Sequence, residues 1–201
     1  VYVLLGHKYQ ERELAAMTDM GIYPEIVEGP QIGHLEAEDG HIPHRNLLLV
    51  STVAAALQPD TIYIGALKGE TSRDKSWRFV RKTQNLLSWL EKPVKVEAPA
   101  KRWTKTGLVR RFLDKYADRE MFLRQTISCY ADEGDLPCGK CQSCFRRWVA
   151  MSLNGIAEPY AAPPWDGVDV DLGYMWRTPV SEWPAVLHNN LDAYRALRRV
   201  R

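Results

Sequence analysis

Residues 128–150 read SCYADEGDLPCGKCQSCFRRWVA and contain all four cysteines of the chain. The spacing is C-x8-C-x2-C-x2-C. Four thiols can pair as disulfides, bind a metal ion or stand as free core residues. Stable disulfides are rare in intracellular proteins, and free core cysteines have no reason to cluster. The spacing therefore favours a metal site formed by Cys129, Cys138, Cys141 and Cys144.

Four cysteine sulfurs are typical of structural zinc sites, which hold the ion in a tetrahedron with Zn–S bonds of about 2.3 Å. Such a site keeps no open position for water or substrate, so we expect a structural clamp rather than a catalytic metal. Gly139 suits the tight turn that the site requires. The segment 129–144 is then predicted to tie the loop after Cys129 to a helix that begins near Gln142.

The composition is that of an ordinary globular protein. The chain has 201 residues, of which 45% are hydrophobic and 26% charged, and its net charge is +2. No apolar run reaches the roughly 20 residues that a bilayer span needs, and no secretory signal is visible. We therefore expect a cytoplasmic protein without a membrane partner. The charge alone is too small to predict nucleic-acid binding.

Hydrophobic periodicity predicts an alternation of strands and helices. Gly21 is expected to end the first helix, Asn46 to cap the second and Thr104 to cap the fourth. The alternation favours a parallel sheet with helices on both faces. Ligands of such sheets bind beyond the carboxyl ends of the strands, here the loops 6–10, 29–45 and 65–76. The predicted strands are 1–6, 24–29, 61–67 and 94–99, and the predicted helices are 10–21, 46–57, 74–92 and 105–117.

The composition changes after residue 154. Residues 155–201 are rich in proline, tryptophan and glycine and have poor periodicity until a last predicted helix at 184–199. We predict an α/β domain over residues 1–154, which includes the zinc segment, followed by an irregular C-terminal extension.

Four stretches resemble the 7-cyano-7-deazaguanine synthases, the ATP-dependent enzymes of queuosine and related deazapurine pathways. The cysteine segment TISCYADEGDLPCGKCQSCFRRWVAM is similar to the family's C-terminal zinc segment. LGHKYQEREL, IPHRNLLLVSTVAAAL with TIYIGAL after it, and APAKRWTKTGLV agree with the family in order and spacing. The resemblance covers about residues 1–150.

The resemblance implies the fold of the ATP pyrophosphatase, or PP-loop, superfamily, an adenine nucleotide alpha hydrolase-like α/β fold. That superfamily holds nucleotide phosphates on an S-G-G-x-D-S loop, and this sequence contains no such motif. We expect the strand, loop and helix that carry it to lie upstream of Val1. The segment KGETSRDKSWRF also departs from the Tyr-Pro-Asp-Cys pattern that is usual after the central strand.

The activity that the resemblance implies is the ATP-dependent conversion of 7-carboxy-7-deazaguanine to 7-cyano-7-deazaguanine, with ammonia as nitrogen donor and Mg²⁺ as cofactor. Arg45 and Lys105 are the candidates for phosphate and carboxylate contacts, and surface salt bridges are the alternative for both. Asp74 is the candidate acceptor for the N–H groups of the base, unless it is a plain helix-start acid. Asn46 is either a ligand contact or a helix cap. A homodimer is a further expectation.

A function of another class stays open. A zinc-stabilised module with this fold could bind nucleic acid or protein without catalysis, through its basic segments and its tryptophan-rich extension. Such a module predicts salt-sensitive RNA or DNA binding and no nucleotide binding.

Overall fold

The computed structural model describes residues 1–37, 40–70, 72–131, 134, 136–166 and 191–200. None of the helices in these ranges is long and apolar enough to cross a membrane. Residues 191–197 are helical, and the rest of the predicted helix up to residue 190 lies outside the described residues. The helices are α1 (Gln10–Asp19), α2 (Arg45–Leu57), α3 (Trp77–Leu90), α4 (Lys105–Lys115), α5 (Glu120–Gln125) and α6 (Gln142–Leu153), and the strands are β1 (Tyr2–Leu4), β2 (Ile26–Glu28), β3 (Thr61–Tyr63) and β4 (Lys95–Glu97).

The chain divides into two compact units. The first comprises Val1–Ala66 and Ser72–Lys101, and the second comprises Leu67–Thr71 and Arg102–Arg201. All four strands belong to the first unit, whereas α4, α5, α6 and the cysteines belong to the second. This grouping does not test the predicted domain boundary at residue 154, which stays a prediction.

The strands of the first unit are parallel, as the alternation of strands and helices predicts. β1 pairs with β2, with Val3 opposite Val27, and β3 pairs with β4, with Ile62 opposite Val96. The predicted α/β class is therefore confirmed. The sequence favours a single sheet, whereas the described strands are hydrogen-bonded as two separate pairs.

Helix α2 packs on both strand pairs. Its Val50 belongs to the core cluster around Ile62 of β3. Its Val53 is packed against that cluster and also against the cluster around Val3 of β1. One helix therefore connects the two core clusters, although no hydrogen-bond ladder joins the strand pairs in the described residues.

The outer edge of β4 is occupied by a side chain. The backbone N–H of Val96 donates to Oε1 of Gln84 on α3 at 3.0 Å. On the other edge, Lys95 donates to the carbonyl of Asp60 and Ile64 donates to that of Glu97. The amide of Val96, which points away from β3, is thus satisfied without a further strand.

Two of the three predicted helix ends are confirmed. Gly21 has φ +70° and lies just beyond α1, where its N–H and that of Ile22 bond back to the last turn, as in a Schellman motif. Thr104 caps α4, since its Oγ1 accepts from the N–H of Gly107 at 3.2 Å. The predicted cap by Asn46 is wrong. α2 begins at Arg45, one residue before the predicted start, and its N-cap is His44. The side-chain amide of Asn46 donates to Asp74 instead.

The second unit is built on α6. One core cluster joins Ala150 and Met151 of this helix to Val109 of α4. A second cluster joins Trp148 to the helical residues 191–197 through Ala196 and Leu197, which are 0% and 5% exposed. The C-terminal helical segment is therefore part of this unit's core.

A buried ion pair lies beside these clusters. The side chains of Arg147 and Glu158 are only 6% and 7% exposed, and Nε of Arg147 donates to Glu158 at 2.8 Å. The same guanidinium donates to Oγ1 of Thr126 and to the carbonyl of Leu123, both at 2.7 Å. The hydroxyl of Tyr160 donates to Glu158 at 2.9 Å. Each of these groups is hydrogen-bonded to Arg147 or to Glu158, which offsets their removal from water.

Replacing Arg147 by methionine should lower the free energy of unfolding by about 3 kcal/mol, because the carboxylate of Glu158 is then buried without its cation. Arg146→Met is the matched control, since Arg146 is the exposed neighbour on the same helix. It should change stability by less than about 0.5 kcal/mol. Urea unfolding of both variants measures the difference, and equal losses would contradict the assignment.

Candidate functional site

Arg45 is the first residue of α2, and its guanidinium is bound by a tyrosine. The residue before it, His44, is in the left-handed region with φ 58°. Nη1 of Arg45 donates to the hydroxyl of Tyr9 at 2.6 Å. Among the described residues, no carboxylate oxygen lies within ion-pair distance of this guanidinium. Most of its N–H donors are therefore left for other groups.

Asn46 and Asp74 are 28 residues apart in the chain and are hydrogen-bonded to each other. Nδ2 of Asn46 donates to Oδ2 of Asp74 at 2.9 Å, and the hydroxyl of Ser72 donates to Oδ1. Asp74 lies in the short 3-10 helix Arg73–Lys75, ahead of α3. A carboxylate offers about four lone-pair sites, so Asp74 keeps acceptor capacity for a ligand.

The structure shows a partly buried polar cluster beside Arg45 that the sequence analysis does not predict. Nε2 of His7 donates to Glu13 at 3.2 Å, and the hydroxyl of Tyr2 donates to the same carboxylate oxygen at 2.6 Å. The ring of Tyr9 packs on that of His7 with centroids 4.4 Å apart. Nδ1 of His7 is buried and has no hydrogen-bond partner in the described part of the chain.

The electrostatics of this cluster favour a charged Glu13. Burial raises the pKa of Glu13, but hydrogen bonds from His7 and Tyr2 and the charge of Arg45 outweigh it, so the pKa is lower than usual. Burial, and then the bond to Glu13, raise the pKa of Tyr2. The carboxylate is thus the acceptor of the cluster, and the tyrosine stays protonated.

Lys105 begins α4 in the second unit. Its Nζ donates to Oγ of Ser128 at 3.4 Å, next to the first cysteine. The preceding residue, Thr104, donates its hydroxyl to Asp192 at 3.3 Å while it caps the helix. The structure therefore brings Asn46 and Asp74 together in the first unit, whereas the guanidinium of Arg45 contacts Tyr9. Lys105 belongs to the other unit.

The four cysteines converge as their spacing predicts. Their sulfur atoms all lie within 4.8 Å of one another, and those of Cys138 and Cys144 are 3.9 Å apart. A disulfide would need about 2.05 Å, and all four thiols are free. A tetrahedral ion with bonds of about 2.3 Å needs sulfurs roughly 3.8 Å apart. The cluster has the composition and size of a site for one metal ion.

Backbone amides point at these sulfurs. Cys129 accepts from the N–H groups of Ala131 and Cys138, and Cys138 accepts from that of Lys140, each at 3.4 Å. Burial raises the pKa of Cys144 and of Cys129. Burial also works to raise the pKa of Cys138, but hydrogen bonds from the backbone N–H groups of Lys140 and Cys141 outweigh it and lower the pKa to about 7. A bound cation would favour the thiolate form at every position.

Gly139 lies where two segments meet closely. It has φ +72°, and a Cβ at this position would overlap the carbonyl oxygen of Ala162. The N–H of Ala161 donates to the carbonyl of Pro137 at 2.9 Å, so residues 161 and 162 lie directly on the cysteine loop. The predicted need for glycine at this turn is confirmed, and the close contact adds a second reason for it.

Comparison with known proteins identifies the family. A family model described as "Queuosine biosynthesis protein QueC" matches residues 12–155, which is more than half of the chain. The chain belongs to this family, and the resemblance seen in the sequence is confirmed.

Several curated relatives carry the name 7-cyano-7-deazaguanine synthase. The protein from Methanocaldococcus jannaschii is 37% identical over 128 residues, which are 58% of this chain and 54% of the relative. The one from Methanosarcina mazei is 34% identical over 125 residues, 59% and 52% of the two chains. The one from Hahella chejuensis is 31% identical over 140 residues, 64% and 58%. The chain spans a little over half the length of these relatives.

Substituting Gly139 by alanine should destabilise the second unit by about 2 kcal/mol or more, because the methyl group meets a backbone oxygen and the φ angle disfavours it. Gly65→Ala is the control, since a Cβ at Gly65 meets nothing within 4 Å. Thermal unfolding measures both variants. A Gly139→Ala protein as stable as the control would rule out the tight contact.

Proposed function

We propose that this protein takes part in the synthesis of 7-cyano-7-deazaguanine from 7-carboxy-7-deazaguanine, ATP and ammonia. The family supports this reaction class, and the observation that carries it to this chain is the hydrogen bond that joins Asp74 to Asn46, the residue after Arg45 in the first turn of α2. The backbone N–H groups at a helix start carry partial positive charge, which suits phosphate and carboxylate groups.

The proposed reaction has two activation steps. A carboxylate oxygen of the substrate attacks the α-phosphorus of ATP, and pyrophosphate leaves. Ammonia then attacks the adenylated carbonyl, AMP leaves, and an amide and a proton are formed. The amide oxygen then attacks the α-phosphorus of a second ATP, and pyrophosphate leaves. Loss of AMP and of both N–H protons of the activated amide leaves the nitrile. Each step creates or moves negative charge on phosphate oxygens.

The residues have distinct parts in this proposal. Arg45 contacts phosphate oxygens, because its guanidinium has N–H donors to spare. Asp74 accepts from the amino and ring N–H groups of the deazaguanine. Asn46 acts through Asp74, since its amide already donates to that carboxylate. Lys105 is a candidate for a carboxylate or phosphate contact, and Mg²⁺ carries part of the triphosphate charge in such reactions.

The assay uses protein expressed from its complete reading frame, with ATP, Mg²⁺, ammonia and 7-carboxy-7-deazaguanine. AMP and pyrophosphate should be released only when the deazaguanine is present, and mass spectrometry should detect the amide or the nitrile. Arg45→Ala should lower kcat/KM by about 100-fold through lost phosphate stabilisation. Arg146→Ala, an exposed arginine in the other unit, should not change it.

Absence of ATP consumption with this substrate would count against the proposal. Salt-sensitive RNA binding without nucleotide binding would favour the non-catalytic module instead.

We infer that the metal of the cysteine cluster is zinc and that its role is structural. Four thiolates are the ligand set of structural zinc sites, and no ligand position remains for a substrate. The site joins the loop at Cys129 to the first turn of α6, whose N-cap is Cys141. When bound, zinc supplies a positive charge that holds the four sulfurs together.

Purified protein should contain about one zinc ion per chain by elemental analysis. Cys144→Ala should lose the ion and destabilise the second unit, since Cys144 is fully buried and supplies one of the four sulfurs. Ser143→Ala, the adjacent residue on α6, should keep both the metal and the stability. Full zinc content in the Cys144→Ala protein would refute the assignment of this ligand.

A further inference from the structure

The hydroxyl of Tyr9 is the hydrogen-bond partner of Arg45 in the structure. The two groups are 2.6 Å apart, and Tyr9 is only 5% exposed. Arg45 is half-buried, and a phenol is uncharged, unlike the carboxylates that usually pair with an arginine withdrawn from water. It can therefore orient the guanidinium without neutralising it.

Tyr9 is itself fixed by the polar cluster. Its ring packs on His7 at 4.4 Å with the planes tilted by 57°. Nε2 of His7 donates to Glu13, which also accepts from Tyr2. The Tyr9 side chain, which binds Arg45, thus packs on the His7 ring. The orientation of that ring is set by the hydrogen-bonded pair of Glu13 and Tyr2.

The bond joins the beginnings of two helices. Tyr9 is the residue before α1, and Arg45 is the first residue of α2. Tyr9 follows the buried strand β1, and Arg45 ends the loop 29–45. Loops of this kind are expected to carry ligands in a parallel sheet. The guanidinium at the start of α2 is therefore tied to the residue that precedes α1.

We propose that Tyr9 is a positioning residue for Arg45: its hydroxyl takes one N–H of the guanidinium and directs the others toward an anionic phosphate group. Tyr9 does not touch the ligand and acts only through Arg45. The inference rests on the proposed function, in which Arg45 contacts phosphate oxygens. It adds a residue that neither the family resemblance nor the sequence pattern assigned.

A double-mutant cycle tests this role, with inorganic pyrophosphate as the probe and calorimetry on protein from the complete reading frame. Tyr9→Phe keeps the ring and removes the hydroxyl, and it should weaken pyrophosphate binding about tenfold. In an Arg45→Ala background, Tyr9→Phe should cause no further loss, because the group that it positions is gone. A purely structural role would give the same loss in both backgrounds.

Tyr23→Phe is the matched control, because it removes the same hydroxyl from a side chain that is 80% exposed. It should bind pyrophosphate like the unaltered protein. Equal affinities of Tyr9→Phe and Tyr23→Phe, a loss that persists without Arg45, or no pyrophosphate binding by the unaltered protein would each overturn the inference. Pyrophosphate binding that follows the cycle without any AMP formation would support the inference and count against the proposed reaction.

Discussion

The burial of one face of α2 against two strand pairs is the contact on which the first unit depends. Val53 packs against both core clusters, so the helix cannot shift relative to one strand pair without losing contact with the other. Its first turn is held in place by the same packing. Arg45 and Asn46 stand on that turn, and their polar partners Tyr9 and Asp74 come from other parts of the unit. An apolar contact thus determines where these two side chains reach their polar partners.

The second unit depends on polar groups that are withdrawn from water. Its helix α6 starts at the sulfur cluster and carries Arg147 into the interior, where Glu158 and two oxygen acceptors surround the guanidinium. Groups of this kind cost free energy unless every partner is present. The cluster of thiols and the arginine therefore hold this unit in a single arrangement, and the apolar side chains of the C-terminal helical segment complete it.

Local patterns in the sequence were sufficient for much of this structure. The alternation of strands and helices, the end of α1 at Gly21, the cap at Thr104 and the convergence of the cysteines all follow from residues near one another in the chain. The bond between Asn46 and Asp74 was not predictable in this way. Asn46 has the chemistry of a helix cap, and only the tertiary structure offers it a carboxylate 28 residues away.

The sequence contains a signal for the burial of Arg147. In FRRW the two arginines are equivalent by composition, but Arg147 shares helical spacing with Cys144, Trp148 and Met151, all of which are buried. Its position on that stripe indicates an interior side chain. The sequence carries a weaker signal for the cluster of Tyr2, His7 and Glu13. Tyr2 lies in an apolar strand, and its hydrogen-bond partners depend on how α1 folds back on that strand.

The hydrogen bond from Val96 to Gln84 has a consequence for association between molecules. A strand whose outward amide is free can recruit the backbone of a neighbouring chain and begin an aggregate. Here a glutamine from α3 takes that amide, so a foreign strand would have to displace it before pairing at this point. A single side chain thus helps to keep one boundary of the sheet closed to unwanted polymerisation.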